Sequence, residues 1–402
     1  MDALVSVPPT PERISTADIR EANVAAVCLL LREHGELTRA ELTRASGLTR
    51  PTVMAVLRQL MADGLVIEPG QVRVHSGGGR PGSVLRFQAR ARVVAAVRLR
   101  GPHTEAVLAD MAGTVLASSL APRTPESLPW TSLVEALTRQ IDGLRGAHPG
   151  LGPLAAVALS LPGSVDRTRG LWTPPGRSGW CEVPLGDSLA AALGVPVAVV
   201  NVVAATLIGR LAQEEAPAPS AVLVYVGSGV GSAATVNGRL IDGAAGSAGE
   251  LGHCVMPGVE QRCPCGRRGC VEAVASARFL SREFRRITGR RAPERVAEME
   301  ASGAADVLDL LDTAADRLGL AASWLVNTIN PAVVYFGGNV FTDDSTRFFD
   351  RFSAALHEAA HPPNGRGLAV LPVSSGATVT GGIHVASELL PDSLRPALRV
   401  VH

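Results

Sequence analysis

The stretch GHCVMPGVEQRCPCGRRGC, residues 252–270, contains one histidine and four cysteines, three of which lie close together at its end. Cys263, Cys265 and Cys270 are separated by intervals of two and five residues, and the proline and glycines between them indicate a loop. Thiolates combined with an imidazole favour a tetrahedral zinc ion, and His253 can complete a Cys3His set. A closed set of four protein ligands leaves no position for a reactive water, so the sequence predicts a structural zinc site rather than a hydrolytic one.

Two carboxylates flank this loop. Glu250 lies three residues before His253, and Glu272 lies two residues after Cys270. A loop that folds around a metal brings both acids near the histidine, and carboxylates in a cleft are good acceptors for sugar hydroxyls. Surface salt bridges are the alternative interpretation of each acid taken alone.

A chain of 402 residues is too long for a single hydrophobic core of ordinary size, so two or three domains are expected. The N-terminus shows no secretory signal and no apolar run reaches membrane-spanning length, so a cytoplasmic protein is expected. Six cysteines in a chain of this size do not make a disulfide scaffold. Those outside the loop, Cys28, Cys181 and Cys254, are interpreted as ordinary small apolar residues.

Positive charge is concentrated in residues 38–90. This segment holds eight arginines and three acidic residues, whereas the whole chain has a net charge of only +1. A basic segment on a near-neutral body predicts a surface that binds a polyanion, although a merely solvated face is the alternative.

The same segment shows the pattern of a helix-turn-helix. Thr38 and Glu41 form a T-x-x-E capping box that begins a short helix, and Gly47 ends it. Thr49 can cap the following helix, in which Pro51 is tolerated in the first turn. A preceding helix is indicated by apolar residues at helical spacing, namely Val24, Val27, Cys28 and Leu31.

A wing follows the second helix. Leu65–Ile67 and the alternating Val72 and Val74 predict two strands, with the tip HSGGGRPG at residues 75–82. Residues 1–20 are expected to be a flexible N-terminus, and residues 21–90 a winged helix-turn-helix domain that is mostly α-helical with a β wing.

This unit is expected to bind double-stranded DNA as part of a homodimer or a dimer of dimers, because such domains read two half-sites. The helix that begins near Thr49 would enter the major groove, with Thr49, Arg50 and Thr52 facing base edges. Arg39 is expected to meet phosphate. Arg80, between Gly79 and Pro81 at the wing tip, could enter an A·T-rich minor groove, and a plain wing turn is the alternative.

From residue 91 onward the chain alternates strands, helices and glycine-rich turns. Residues 93–118 and 221–241 each predict strand, turn, strand, turn, strand, which indicates a duplicated α/β body with a cleft between its halves. Residues 154–165 and 195–203 predict buried strands, residues 276–330 mainly helices, and residues 332–339 a strand that runs into a glycine turn.

These motifs resemble the ROK family (Repressor, ORF, Kinase) of bacterial sugar kinases and sugar-responsive repressors. The resemblance covers most of residues 91–392 and rests on GSAGELGH, C-x-C-G-x-x-G-C-x-E, the PG of LSLPGSV, the PV…N of VPVAVVN, GSGVG and INPAVVYFGGN. Residues 23–87 are similar to the winged helix-turn-helix of the repressor members.

The resemblance implies a two-lobed α/β body of the actin and hexokinase class, with a ribonuclease H-like fold, over residues 91–392. It implies zinc at His253, Cys263, Cys265 and Cys270. It also implies sugar contacts from Asn201, Glu250, His253 and Glu272, with one ring nitrogen of His253 on the metal and the other on the sugar.

Two departures from the kinase pattern argue against catalysis. The kinases carry Asn-Asp where this chain has Asn201-Val202, and valine cannot act as the general base, a loss that typically costs about 10²–10⁴-fold in rate. Their Asp-x-Gly-Gly-Thr phosphate loop is replaced by residues 98–102, Arg-Leu-Arg-Gly-Pro. The sequence therefore predicts no catalytic residues.

The leading hypothesis is a sugar-responsive transcriptional repressor with an inactive kinase-like sensor. An active or bifunctional sugar kinase, and a regulator controlled by a partner protein, remain as alternatives. The effector is expected to be a sugar or a sugar phosphate, and Arg98 and Arg100 could hold a phosphate if they face the cleft.

Overall fold

The computed structural model describes residues 15–69, 83–175, 179–338, 340–341, 346–374, 376–391 and 394. These residues form two compact units. Unit 1 contains the described residues from 15 to 91 together with Leu390, Pro391 and Leu394, and unit 2 contains those from Arg92 to Leu389. Within these ranges, no helix combines the length and apolar character needed to cross a membrane.

Unit 1 is a winged helix-turn-helix. Its helices are α1 (Thr16–His34), α2 (Arg39–Ser46) and α3 (Arg50–Ala62). Its strands are β1 (Glu36–Thr38), β2 (Val66–Ile67) and β3 (Val84–Phe87), which form an antiparallel sheet in the order β1-β3-β2. The buried faces of the helices supply the core, which includes Val27, Leu31, Leu42, Val53, Leu57 and Leu60.

The helix ends follow the sequence signals. Thr38 and Glu41 form the predicted capping box at the start of α2, and Gly47 ends this helix in the left-handed conformation with φ of 64°. Oγ1 of Thr49 accepts a hydrogen bond from the N–H of Thr52 at the start of α3. These local interactions fix the turn between the two helices.

The first helix begins earlier than the sequence analysis predicts. Ser15 and Asp18 form a second capping box, so α1 begins at Thr16. Residues 15–20, expected to belong to a flexible N-terminus, are therefore the cap and first turn of a helix, because this box satisfies N–H groups that would otherwise lack partners.

The strands of the wing sheet also differ from those predicted from the sequence. β2 pairs with β3, and the N–H of Gln88 donates to the carbonyl of Leu65 at 2.8 Å. The predicted strand at Val72 and Val74 and the wing tip at 75–82 lie outside the described residues. β1 was not predicted, because three residues carry no recognisable alternation.

Unit 2 contains two five-stranded sheets that have the same topology. The first has the strands β4 (Val93–Arg100), β5 (His103–Asp110), β6 (Val115–Pro122), β7 (Leu154–Leu161) and β10 (Val197–Asn201), in the order β10-β7-β4-β5-β6. The second has β11 (Ala221–Val226), β12 (Val230–Val236), β13 (Arg239–Leu240), β14 (Val333–Gly337) and β15 (Ala369–Val373), in the order β13-β12-β11-β14-β15. In each sheet the first three strands form an antiparallel meander, the fourth strand pairs in parallel with the first, and the fifth pairs in parallel with the fourth. The predicted duplication of a ribonuclease H-like α/β unit is thus confirmed.

The remaining elements of unit 2 surround these sheets. They are the hairpin β8 (Ser164–Asp166) and β9 (Leu171–Thr173), and the helices α4 (Thr131–Gly146), α5 (Leu185–Leu193), α6 (Val202–Leu211), α7 (Glu272–Ala275), α8 (Ala277–Thr288), α9 (Val296–Glu300), α10 (Ala305–Ile329), α11 (Thr346–Ala359), α12 (Pro362–Gly365) and α13 (Ala377–Glu388). Each sheet has its own apolar core, with Trp172 in the first and a Phe cluster around Phe336 in the second.

Helices α6 and α13 pack against each other with little space between their backbones. A Cβ atom at Gly209 would overlap the carbonyl oxygen of Ala377, and one at Gly381 would overlap that of Ala205. α6 contacts strands of both sheets, so this helix pair links the two lobes.

Candidate functional site

The four predicted metal ligands lie together in the loop after β13. One ligand atom from each of His253, Cys263, Cys265 and Cys270 lies within 4.8 Å of the other three. The distances from Cys263 Sγ to His253 Nδ1 and from Cys265 Sγ to Cys270 Sγ are both 3.7 Å. Zinc–sulfur bonds of about 2.3 Å in a tetrahedron give ligand–ligand distances of roughly 3.8 Å. The cluster therefore has the size and donor set that a metal ion such as zinc requires.

Backbone turns hold the thiols in place. The N–H of Gly266 donates to the carbonyl of Cys263, and the N–H of Cys263 donates to the carbonyl of Arg267 at 2.8 Å. Gly266 has a φ of 97°, a conformation that favours glycine. The Arg267 guanidinium donates to the carbonyl of His253 at 2.9 Å, so it ties the histidine to the cysteine loop.

The charges of the thiols also favour a bound cation. Burial raises the pKa of Cys263 to about 12 and also raises the pKa of Cys270. Burial acts in the same direction on Cys265, but hydrogen bonds from Arg267 and from the neighbouring thiols of Cys263 and Cys270 outweigh it and lower the pKa of Cys265 to about 6. The loop alone thus stabilises one thiolate, and a cation would be needed to hold three of them side by side.

His253 points its two ring nitrogens in different directions. Nδ1 lies beside Cys263, whereas Nε2 lies 3.8 Å from Oε2 of Glu250. A metal on Nδ1 would leave the ring proton on Nε2, where it can be donated. The Glu250 side chain is 45% exposed. Partial burial raises the pKa of its carboxyl, His253 acts to lower this pKa, and Glu272 acts to raise it further.

The second carboxylate is fixed by the glycine turn between β11 and β12. Oε2 of Glu272 accepts a hydrogen bond from the N–H of Val230 at 3.1 Å. Oε1 lies 4.0 Å from Sγ of Cys263. A Cβ atom at Gly229 would overlap the carboxylate, so the glycine is needed for this approach. Glu250, His253 and Glu272 are thus brought to one place.

Asn201 has a structural role that the sequence analysis did not predict. Its Oδ1 accepts hydrogen bonds from the N–H groups of Val203 and Ala204, and its Nδ2 donates to the carbonyl of Gly163 at 2.8 Å. Because this side chain caps α6, Val202 and Val203 begin a helix and do not continue the predicted strand. One Nδ2 proton is left for a ligand.

The region of the missing phosphate loop is a tight hairpin. β4 ends at Arg100, Gly101 and Pro102 form the turn, and β5 begins at His103. Arg98 forms an ion pair with Glu105, its partner on the neighbouring strand. Because Glu105 offsets the charge of Arg98, the structure weakens the hypothesis that Arg98 and Arg100 together hold a phosphate.

In unit 1, three of the predicted DNA contacts lie at the N-cap and in the first turn of α3. Arg50 is exposed. The hydroxyls of Thr49 and Thr52 lie 2.8 Å apart and bond to each other. Thr52 also lines a groove of about 890 Å³ between α1 and α3, together with Arg20 and Arg58.

The other two predicted DNA contacts differ in placement. The Arg39 guanidinium forms an ion pair with Glu68 and donates to Oγ of Ser83 at 2.8 Å, so it braces the base of the wing. Arg80 lies outside the described residues.

Arg20, which lines the groove between α1 and α3, is not among the residues predicted from the sequence, because α1 was expected to begin after it. The S-T-A-D pattern at residues 15–18 could have revealed this helix start.

Comparison with known proteins agrees with this architecture. Residues 94–374 match the model of the ROK family, and residues 29–67 match that of a winged helix-turn-helix DNA-binding domain. The chain is 24% identical over 355 residues to the xylose repressor of Bacillus spizizenii, covering 87% of this chain and 90% of that protein. It is 30% identical over 227 residues to a glucokinase of Halalkalibacterium halodurans, covering 52% of this chain and 68% of that protein. A solved ROK family transcriptional regulator, a homolog of the E. coli MLC protein, superposes with a TM-score of 0.76 at 22% identity, covering 94% of this chain and 98% of that one.

Proposed function

The chain belongs to the ROK family, and from this membership we propose that it is a sugar-responsive, DNA-binding transcriptional repressor. One observation supports this most strongly. The same chain carries a helix-turn-helix in unit 1 and, in unit 2, side chains suited to hydrogen bonding with sugar hydroxyls beside a metal-ligand cluster. Matched relatives over most of the chain are named repressors, among them the xylose repressor of Bacillus spizizenii.

Unit 1 would bind operator DNA through α3. The exposed Arg50 and the hydroxyls of Thr49 and Thr52 stand at the N-terminal end of this helix, the end that faces base edges in helix-turn-helix complexes. We also propose a minor-groove contact for Arg80, and a phosphate contact for Arg39 that would compete with its ion pair to Glu68. A homodimer would present two such heads to a two-fold symmetric site.

Unit 2 would bind the sugar through Glu250, His253, Glu272 and the remaining amide proton of Asn201. The two carboxylates accept from hydroxyls, and Nε2 of His253 donates. Zinc is the ion that we assign to His253, Cys263, Cys265 and Cys270. When bound, it would fix the loop and the tautomer of His253, which is a structural contribution to recognition.

We propose that phosphoryl transfer is absent. Val202, at the start of α6, has no group that could take a proton from a sugar hydroxyl. In the first phosphate hairpin, Arg98 is neutralised by Glu105, and Pro102 offers no backbone N–H to a phosphate. The glycine turn at residues 227–231 is explained in part by the approach of the Glu272 carboxylate to Gly229.

A chain of contacts could carry the ligand signal toward unit 1. Arg167, just after β8, lies 3.4 Å from Asp242 at the start of the loop that carries Glu250, and 3.9 Å from Glu388 at the end of α13. The polypeptide passes from α13 directly into unit 1, where the Arg32 guanidinium donates to the carbonyl of Leu394 at 2.8 Å. Movement of the ligand loop would therefore change the position of the end of α13.

Two other functions remain open to test. The likeness to a glucokinase favours an active or bifunctional sugar kinase as the second candidate. Control by a partner protein, with an unused cleft, is the third.

Fluorescence anisotropy tests the proposal. Zinc-loaded protein is titrated into a labelled duplex from upstream of its own gene, at fixed salt, with and without a panel of sugars and sugar phosphates. We expect specific binding and a lower operator affinity with one ligand. Specific binding without any ligand effect would favour partner control, and sugar-dependent release of ADP from ATP would favour the kinase.

A further inference from the structure

A second cavity borders the metal cluster. It has a volume of about 300 Å³, and its floor includes the buried residues Cys263, Ser276 and Phe279. Three arginines line it, namely Arg262, Arg278 and Arg282. We call this cavity the arginine pocket.

The arginine pocket has more positive than negative charge. Arg262 and Arg278 have no ion-pair partner within the described part of the chain. Arg282 pairs with Glu283, but Glu283 is shared with Arg286 and lies outside the pocket lining. The one carboxylate in the lining is Glu272, and it already accepts a hydrogen bond from the N–H of Val230.

A helix start adds to this positive character. Oγ of Ser276 caps α8 by accepting from the N–H of Phe279, and both residues line the pocket. The N-terminal end of a 12-residue helix carries a partial positive charge, which favours anions.

We propose that the arginine pocket binds the phosphate group of a phosphorylated sugar. This inference rests on the proposed sugar-sensing function and narrows the effector to a phosphate ester. Guanidinium groups match phosphate oxygens with paired hydrogen bonds, and three of them suit a dianion better than a single carboxylate. Glu272 lines the pocket and also belongs to the proposed sugar site, so one ligand could place its sugar and its phosphate on the two sides of this residue.

The competing interpretation is that the arginines only offset the negative charge of the thiolates and Glu272. In that case the pocket would have no particular affinity for phosphate, and any anion effect would depend on net charge alone.

The test is calorimetric titration of full-length, zinc-loaded protein with inorganic phosphate at constant ionic strength. Arg278→Gln is compared with Arg285→Gln, an exposed arginine on the same helix that does not line the pocket. We expect the wild type to bind phosphate, Arg278→Gln to lower the affinity about 10-fold, as the loss of a charge-assisted hydrogen bond implies, and Arg285→Gln to change it less than about 2-fold. No phosphate binding by the wild type, or an equal loss in both variants, would overturn the proposal.

A second series identifies the source of the phosphate. Glucose, glucose 1-phosphate and glucose 6-phosphate are titrated into the same proteins. We expect one phosphate ester to bind at least about 10-fold more tightly than both glucose and inorganic phosphate, with Arg278→Gln removing the preference. Phosphate binding without tighter binding of either ester would refute the sugar-phosphate assignment. Because neither series involves DNA, its failure is distinct from a failure of the proposed regulatory function.

Discussion

The carboxylate of Glu272 occupies the space into which a side chain at Gly229 would project. The two residues lie 43 positions apart in sequence, yet Oε2 of Glu272 accepts from the N–H of Val230, the residue next to Gly229. A glycine turn of the kind that cradles phosphate in kinases here positions an acid of the proposed sugar site.

Replacing Gly229 by alanine is expected to weaken sugar binding. The new methyl group would displace the Glu272 carboxylate and break its hydrogen bond to Val230, so we expect sugar affinity to fall about 10-fold or more. Gly150→Ala is the control, because a Cβ atom there meets nothing within 4 Å. Calorimetry with the effector sugar measures both; equal affinity in the two variants would contradict the assigned role of Glu272.

Removing one thiol is expected to abolish metal binding. Cys263→Ser leaves three ligands, and we expect the bound zinc to fall from about one ion per chain to a small fraction of that, with a lower thermal unfolding temperature. Cys254→Ser, an exposed cysteine outside the cluster, should keep its zinc. Elemental analysis of the purified proteins decides; a wild type without stoichiometric metal would rule out the zinc assignment.

Local signals predicted much of the fold and the metal cluster, because they act over a few residues. The T-x-x-E box at Thr38, the left-handed Gly47 and the Cys-x-Cys spacing are signals of this kind. The capping box at Ser15 is another local signal, although the sequence analysis does not include it. The pairing of Arg98 with Glu105 also follows from the hairpin register around Gly101 and Pro102.

The remaining features depend on contacts between distant residues. Arg39 meets Glu68 across 29 positions, which no periodic pattern reveals. The capping of α6 by Asn201 depends on Gly163, 38 positions earlier, which fixes the amide. The arginine pocket combines the cysteine loop with α8, so its existence follows only from the tertiary fold.

Restoring the missing base is not expected to create a kinase. Val202→Asp returns a group that typically contributes about 10²–10⁴-fold in rate, but the hairpin at Gly101 and Pro102 still lacks a phosphate loop. Coupled-enzyme measurement of ADP release, with a bacterial glucokinase as positive control, should show no sugar-dependent turnover for either form. Clear turnover by the wild type would refute the regulator-only proposal.

Arg50 is expected to contribute directly to operator binding. Arg50→Ala should weaken specific DNA binding by about 1–3 kcal/mol, because an exposed arginine in the first turn of α3 would lose its base or phosphate contact. Arg139→Ala, with a side chain 72% exposed on α4, is the charge-matched control. Anisotropy with the operator and with an unrelated duplex measures both. A loss no greater than that of Arg139→Ala would exclude α3 as the recognition helix.

Arg167 is expected to affect the coupling between sites rather than either site alone. Arg167→Gln should leave sugar affinity and sugar-free operator affinity within about 2-fold of the wild type, while the effect of sugar on operator affinity should shrink at least about 3-fold. Arg169→Gln is the control, since Arg169 pairs with Glu182 instead. An unchanged sugar effect in Arg167→Gln would show that the signal takes another route.

The most direct test of sugar control of DNA binding combines one site variant with the operator titration. Glu250→Gln keeps the shape of an exposed side chain at the proposed sugar site and removes its charge. We predict that this variant binds the operator as tightly as the wild type but no longer responds to the sugar concentration that releases the wild type. A full sugar response in Glu250→Gln would contradict the proposed site, and no response to any sugar or sugar phosphate in the wild type would contradict the sensor function itself.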